Sequence, residues 1–191
     1  MRRALVLTFA LVAAACGGEA EGEGDVATDV WVRDVCTTLT DWNDRVQSRT
    51  GTLQTDLQGL PQGDFQALKD LMVSYIDGVI EDTDQAVTSL EGAGAPAVED
   101  GGEASRLVVR GIGEVRTIFE QAREDIAALD ASRPRRFAMA LQDIGLRVQQ
   151  GGQQVQATFQ EVDQRGIGGE ELDQAFDEEP ACAPLAGGAG P

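Results

Sequence analysis

Apolar residues recur at spacings of three and four along four long stretches of the chain, a pattern typical of helices that pack side by side. These apolar stripes occupy residues 32–60, 65–90, 108–129 and 137–162. No stretch alternates apolar and polar residues over a length that would indicate a β-strand. The pattern therefore predicts four long helices, the first of them near residues 29–58.

Residues that disfavour helix interiors separate the stripes. Glycine, proline and short polar residues cluster at positions 60–63, 92–96, 130–134 and 166–169. Thr28 or Asp29 is predicted to cap the first helix and Asp64 the second. A short fifth helix is predicted at about residues 170–177, with Leu172 and Phe176 packing back onto the others. Because the connections are short, we predict an all-α, up-down-up-down four-helix bundle with a short C-terminal helix.

Two of the three cysteines test this topology. Cys36 lies near the start of the first predicted helix, and Cys182 lies beyond the end of the fourth. In an up-down-up-down bundle both places belong to the same end, so the topology predicts that these thiols meet. A disulfide that closes so long a loop contributes about 4–5 kcal/mol in the chain-entropy model. We therefore predict a bundle clasped by one structural disulfide.

The third cysteine follows a short apolar run. Arg2 and Arg3 precede residues 4–15, in which Thr8 is the only polar residue. This run is shorter than the roughly 20 residues that a membrane-spanning helix needs, so residues 1–15 are predicted to be a secretory signal peptide. Small residues directly before Cys16 suit an ordinary signal peptidase, and they also resemble a bacterial lipobox.

We favour lipidation of Cys16 over simple secretion. An exported protein normally pairs its thiols, and lipid on the Cys16 sulfur leaves Cys36 and Cys182 as one pair. The lipobox match is incomplete, because Ala13 occupies the position that usually holds leucine. Residues 16–27 are then a flexible acidic tether, and residues 28–191 are the helical bundle domain with its C-terminal tail.

Composition removes several classes of function. The chain has 15 Lys and Arg against 33 Asp and Glu, a net charge of −18, which disfavours nucleic acid as a partner. The same charge repels anionic headgroups, so lipid on Cys16 would hold the protein to the membrane. There is no histidine, which excludes Ser-His-Asp and Cys-His catalysis and His-ligated metal sites. We predict no enzyme activity, no cofactor and no metal site.

Three short segments resemble a known class of protein. They are Cys16 after its run of small residues, "VCTTLTDW" at 35–42, and "LDQAF" with "PACAPL" near the C-terminus. Together they resemble the small cysteine-paired lipoproteins of actinobacteria, most of which are uncharacterised. The resemblance implies a location and a helical fold rather than an activity.

One candidate site lies in the middle of the predicted bundle. Counting outward from the connections places Trp42, Gly78, Gly111 and Gly151 at about one level, with Gly113 as an alternative to Gly111. A glycine inside a helix costs about 1 kcal/mol relative to alanine, so several at one level need a reason. Either the Trp42 ring fills the space that the glycines leave, or the glycines line a cavity for a small apolar ligand.

A second candidate site is the segment "SRPRRF" at residues 132–137. Arg133, Arg135 and Arg136 form the densest basic cluster of an acidic chain, at a helix N-terminus where positive charge is disfavoured. The cluster suits an anionic partner, such as an anionic cell-wall polymer or an acidic envelope protein. The alternative is a solvated turn that Asp130 neutralises. The acidic runs at 81–84, 98–103 and 177–180 lack calcium-loop spacing and are predicted to be solvated.

These observations lead to one main expectation about function. We expect an exported protein, lipid-anchored to the outer face of the cytoplasmic membrane, that acts as a binding or scaffolding module in the cell envelope. The alternative is a carrier or sensor that holds a small apolar ligand inside the bundle.

Overall fold

The computed structural model describes residues 26–186 of the 191-residue chain. It describes the backbone throughout this range, and the side chains throughout except at residues 154–165 and 186. The predicted signal peptide at residues 1–15, Cys16 and most of the predicted tether at 16–27 therefore lie outside the described residues.

Helices make up nearly all of the described chain, and no named strand occurs between residues 26 and 186. In chain order they are α1 (Thr28–Gly59), α2 (Phe65–Gly92), α3 (Gly101–Ala127), α4 (Pro134–Arg165), α5 (Gly169–Glu178), a 3₁₀ turn (Pro180–Cys182) and α6 (Ala183–Ala186). The helices predicted at 29–58 and 170–177 differ from α1 and α5 by one residue at each end. The all-α prediction is confirmed.

Each long helix packs against the next one along the chain. α1 packs on α2, α2 on α3, and α3 on α4, with the chain reversing in the short connections at 60–64, 93–100 and 128–133. α5, the 3₁₀ turn and α6 pack back against α1. The up-down-up-down bundle with a short C-terminal helix is therefore confirmed.

The predicted disulfide is present and joins the beginning of the bundle to its end. Cys36 is bonded to Cys182 across 146 positions, with their Cα atoms 4.9 Å apart. At the same end, the backbone N–H of Val26 donates to the Ala95 carbonyl at 3.1 Å, and that of Ala97 donates to the Val26 carbonyl at 2.8 Å. We call this the disulfide end, and the opposite end, with the connections at 60–64 and 128–133, the tip.

Most of the buried apolar residues form two clusters. The disulfide-end core comprises Trp31, Val32, Val35, Cys36, Ala86, Leu90, Ala104, Leu107, Ile112, Ile167 and Leu172. The tip core comprises Ile76, Ala122, Ile126 and Ile144, with partly buried neighbours that include Met72, Tyr75, Phe119 and Leu141. The apolar stripes are thus divided between two packing centres rather than joined in one continuous core.

The predicted helix caps had different outcomes. Asp64 caps α2 as predicted, because its carboxylate accepts a hydrogen bond from the Ala67 N–H at 2.9 Å. The cap predicted for α1 at Thr28 or Asp29 is wrong, because the cap position is Ala27, which supplies no side-chain bond. The pairing of Val26 with the α2–α3 connection fixes the entry into α1, so Thr28 already lies within the first turn.

Candidate functional site

Polar side chains join α1 to α2 between the two cores. This polar layer consists of Trp42, Arg45 and Arg49 of α1 with Asp82 and Thr83 of α2. Asp82 is at its centre and is only 3% exposed, so the prediction that the acidic run at 81–84 is solvated is wrong for this residue. Arg49 donates to both carboxylate oxygens of Asp82, from Nε to Oδ2 and from Nη2 to Oδ1 at 3.2 Å. The Nε of Arg45 lies 3.6 Å from Oδ1, so one buried carboxylate faces two guanidinium groups.

The charge of the polar layer is unusual for a bundle interior. Burying a charge is costly unless it is paired, and well-packed apolar residues usually stabilise such a position at least as well. The hydrogen bonds to Asp82 raise the pKa of the Arg49 guanidinium above its already high ordinary value. The Nε of Arg45 is buried without a hydrogen-bond partner among the described residues. A buried charge network beside a cleft is a candidate functional site.

The neutral part of the polar layer is satisfied within the bundle. The indole N–H of Trp42 donates to the Thr83 hydroxyl at 3.1 Å. That hydroxyl, which is fully buried, donates in turn to the Val79 carbonyl at 2.7 Å. These two bonds fix the orientation of the indole ring and leave neither polar group unpaired.

Gly78 gives Arg49 its path to Asp82. An ideal Cβ on Gly78 would lie 2.2 Å from Nη1 and 2.7 Å from Cζ of Arg49. The missing side chain therefore lets the guanidinium lie across α2, one turn before Asp82. Glycine inside a helix costs about 1 kcal/mol relative to alanine. A glycine is needed at this position because any side chain there would occupy the space that the Arg49 guanidinium fills.

A cavity of about 200 Å³ opens next to the polar layer, between α1 and α2. We call it the α1–α2 cavity. Four hydroxyl groups, two leucines, one guanidinium and one carboxylate line it: Ser48, Arg49, Thr52, Leu53, Asp56, Leu71, Ser74 and Tyr75. Arg49 thus belongs both to the polar layer and to the cavity lining, and its hydrogen bonds to Asp82, which does not line the cavity, hold it in place.

A second cavity, of about 290 Å³, lies between α3 and α4 and is more apolar. We call it the α3–α4 cavity. Its lining comprises Thr117, Ile118, Gln121, Ala122, Asp125, Ile144, Arg147 and Val148. Arg147 and Asp125 form an ion pair beside it. The two helices approach closely at Gly151, where an ideal Cβ would lie 2.7 Å from Ile118 Cδ1.

The four residues of the predicted mid-bundle site occupy different surroundings. Trp42 and Gly78 lie together at the α1–α2 contact, each beside a member of the polar layer. Gly111 is buried in α3, and Gly151 of α4 lies against Ile118. None of the four lines the α1–α2 or the α3–α4 cavity. That they surround one apolar ligand stays a prediction.

The three tip arginines are exposed, and they differ in their partners. Arg133 pairs with Asp130 at 3.1 Å, as the neutralised-turn alternative predicts for this residue. Arg135 and Arg136 form no ion pair with the residues that the structure describes. The Ser132 hydroxyl and backbone N–H donate to Asp130 at 2.6 and 3.0 Å, and these bonds lower the pKa of the Asp130 carboxyl.

Two further features are absent from the described residues 26–186. No described helix combines the length and the apolar character needed to cross a bilayer. Nor does this part of the chain bring three or more cysteine or carboxylate side chains together in a group able to hold a metal ion.

Sequence reasoning missed Arg49 and Asp82, although the stripes contain a signal for both. On α1 the apolar stripe continues from Val46 to Leu53, and on α2 it continues from Val79 to Ala86. Each helix therefore skips one inward position, and the two skipped positions face each other. Opposite charges at facing interruptions of two stripes are the pattern that indicates such a pair.

Comparison with known proteins identified no relative of this chain. No family model, no curated protein and no solved structure matches the chain. The resemblance to small cysteine-paired actinobacterial lipoproteins therefore stays a prediction.

Proposed function

We propose that the chain is an exported, lipid-anchored binding or scaffolding module of the bacterial cell envelope, held to the outer face of the cytoplasmic membrane. Lipid on Cys16 forms the anchor, and the acidic residues after it form the tether. The bundle is then the binding module, with its disulfide end towards the membrane and its tip away from it.

The observation that carries the proposal is the Cys36–Cys182 disulfide. Disulfides persist in oxidising compartments outside the cytoplasm, so the bond supports export. It also leaves Cys16 as the one remaining cysteine of the chain, directly after a run of small apolar residues. Val26 lies at the disulfide end, which supports entry of the tether there. Acidic residues at that end disfavour direct contact with anionic headgroups and leave the anchoring to lipid.

Metabolic labelling tests the anchor. Bacteria that express the full chain are grown with an alkyne fatty acid, and the protein is analysed for label and for its distribution between membrane and soluble fractions. We expect label and membrane retention in the unchanged chain, and loss of both in Cys16→Ala. The control is Cys36→Ala/Cys182→Ala, which removes the disulfide and keeps the label. Label-free protein in the medium would contradict the anchor and leave simple secretion.

The tip is the part of this module that suits an anionic partner, either an anionic cell-wall polymer or an acidic envelope protein. Arg135 and Arg136 are exposed in the first turn of α4 and have no described ion-pair partner. Arg133 is already paired with Asp130, so it contributes less net charge to this surface. Charge attraction of this kind weakens as ionic strength rises.

Crosslinking on intact cells tests the tip. We expect Arg135→Gln/Arg136→Gln to reduce the crosslinked adducts that form at low ionic strength. The control is Arg106→Gln/Arg110→Gln, which removes the same charge from two exposed arginines of α3. Equal adduct yields from both double variants would contradict a tip-specific partner.

The second candidate, a carrier or sensor for a small apolar ligand, is favoured by the α3–α4 cavity. Ile118, Ala122, Ile144 and Val148 give it apolar walls, and its volume of about 290 Å³ suits a small molecule. Native mass spectrometry of protein purified from its host would reveal a retained ligand as added mass. Gln121→Trp, at the cavity, should abolish that mass, whereas Gln142→Trp, an exposed α4 change outside it, should not.

A further inference from the structure

We infer that the α1–α2 cavity binds one uncharged saccharide ring. This inference deepens the binding role proposed above and rests on it, because it assigns that role a ligand class and a site. It does not depend on the lipid anchor or on the tip. The hydrogen-bonding capacity, the charge and the size of the cavity all suit such a ligand.

The cavity offers hydroxyl groups that the bundle itself does not use. Among the described residues, no intramolecular bond engages the side chains of Ser48 and Ser74, so both hydroxyls are available to donate and to accept. The Thr52 hydroxyl donates to the Ser48 carbonyl at 3.1 Å and keeps its capacity to accept. A ligand with several hydroxyl groups of its own matches such a lining.

Tyr75 is also oriented by the bundle. The Thr50 hydroxyl donates to the Val46 carbonyl at 2.9 Å, so its single proton is used. The contact of 3.1 Å between the Thr50 and Tyr75 oxygens then requires Tyr75 to donate and Thr50 to accept. The Tyr75 ring is thereby fixed at the cavity, and its oxygen remains an acceptor. A fixed aromatic ring offers a rigid apolar face at little entropic cost.

The balance of charge favours an uncharged ligand. The Arg49 guanidinium is already paired with the buried Asp82, so it attracts an anion weakly. The carboxylate of Asp56 has no described partner and repels an anion, as does the net charge of −18 on the whole chain. A cation would meet Arg49 in the same cavity. A neutral hydroxyl can accept from the unused Arg49 donors and donate to Asp56 without either penalty.

The α1–α2 cavity is open to solvent, with Ser48, Thr52, Asp56 and Ser74 exposed around it, and its size suits one ring. Its volume of about 200 Å³ is below the range of about 300–1,000 Å³ typical of sites for drug-sized molecules. Leu53 and Leu71 supply apolar surface beside the polar side chains of the lining. A single hexose has this size and the same mixture of apolar faces and hydroxyl edges.

Saturation-transfer NMR on the full chain, purified in a sugar-free detergent, tests the inference. The neutral probes are glucose, galactose, mannose and N-acetylglucosamine, and the charged probes are glucuronate and glucosamine. We expect saturation transfer to at least one neutral sugar, with weaker transfer to both charged ones. Ser74→Ala removes an unused hydroxyl without breaking an internal bond, so we expect about fivefold weaker binding with unchanged stability.

Two matched threonines give the control for position. Thr52→Phe fills the cavity and should abolish saturation transfer. Thr55→Phe changes a neighbouring exposed threonine of α1, whose hydroxyl also donates to the carbonyl four residues earlier, and should leave transfer intact. The inference is overturned if no neutral sugar responds, if a charged sugar responds most strongly, or if both phenylalanine variants behave alike. Such a failure would leave the acyl-labelling and crosslinking results unaffected, so the envelope role is judged separately.

Discussion

At the disulfide end α1 buries Trp31, Val32, Val35 and Cys36, whereas from residue 37 to residue 59 it buries no residue at all. The first turns of α1 are therefore held by an apolar core and a covalent bond. Leu39 and Trp42 still pack on the edge of that core, and the rest of the helix is attached to α2 by the polar layer and by the bond between Thr50 and Tyr75. α1 is thus held by apolar packing and a disulfide at one end and mainly by polar bonds along the rest of its length.

This difference suggests where the bundle is stable and where it opens. Local opening concentrates where few apolar contacts are buried. We therefore expect the disulfide end to remain closed while the part of α1 nearest the tip opens more readily. The α1–α2 cavity lies in that less stable part. Removing the disulfide in one experiment and the polar layer in another tests this difference between the two parts of α1.

The largest expected effect is reduction of the disulfide. The bond closes a loop of 146 positions, so its loss should lower the free energy of unfolding by about 4–5 kcal/mol. Urea unfolding followed by circular dichroism, with and without a reductant, measures the difference. Cys36→Ala/Cys182→Ala is the control and should be insensitive to the reductant. Equal urea midpoints for the oxidised and reduced chain would refute the assigned role of the disulfide.

Substitution of Asp82 should give the second-largest decrease in the free energy of unfolding. Asp82→Ala leaves Arg45 and Arg49 without their shared carboxylate, and we expect a loss of about 2–3 kcal/mol, because both guanidinium groups retain access to water. Asp84→Ala is the matched control, since Asp84 pairs with Arg116 at the surface and should contribute less than about 1 kcal/mol. Urea unfolding measures both values.

Hydrogen exchange adds a positional readout for the same two variants. If the polar layer attaches the outer part of α1, Asp82→Ala should lower amide protection from about Arg45 to Gly59 and leave Trp31 to Cys36 protected. Asp84→Ala should change neither segment. Uniform loss of protection along α1 would contradict the separation of the two regions.

Alanine substitutions at two glycines should change the free energy of unfolding by smaller amounts and in opposite directions. Gly78→Ala displaces the Arg49 guanidinium, and the lost charged hydrogen bonds outweigh the gain in helix propensity, for a net loss of about 1 kcal/mol. Gly113→Ala introduces a Cβ into open space inside α3 and should stabilise by about 1 kcal/mol. Thermal unfolding of both variants measures the signs, and stabilisation by both would disprove the role given to Gly78.

The sequence was informative wherever structure depends on one helix at a time. Apolar periodicity and the breaks between stripes predicted all four long helices, and their lengths brought Cys36 and Cys182 to one end. These features follow from local spacing and from the number of chain reversals. They do not require knowledge of which side chains face each other.

The candidate site depends on contacts between helices, and the sequence predicted only some of its residues. Trp42 and Gly78 were singled out, but the charged pair beside them was not, because Arg49 and Asp82 are far apart in sequence. Levels counted from the connections placed Gly151 near Trp42, but they could not show that Gly151 packs on Ile118 of α3. The relative shift of neighbouring helices is set by side-chain packing, which periodicity within one helix does not contain.

The smallest predicted effect concerns the tip, where local polar bonds organise the α3–α4 connection. The hydroxyl of Ser132 is the main cause of the lowered pKa of Asp130, followed by the Ser132 backbone N–H. Because folding favours the ionised carboxylate, the resulting stabilisation is present above the ordinary pKa of 3.8 and is lost as pH falls through the lower folded value. Ser132→Ala should therefore raise the Asp130 midpoint without restoring it fully, because the backbone bond and Arg133 remain.

Carbon-detected NMR titration of the Asp130 carboxyl measures this midpoint directly. Ser89→Ala, which removes a hydroxyl on α2 near the disulfide end, is the control and should leave the Asp130 midpoint unchanged. An unshifted midpoint in Ser132→Ala would mean that the hydroxyl bond does not organise the turn. The tip arginines would then be presented by a looser connection than the described geometry implies, and the contrast between a locally bonded tip and a covalently clasped disulfide end would weaken.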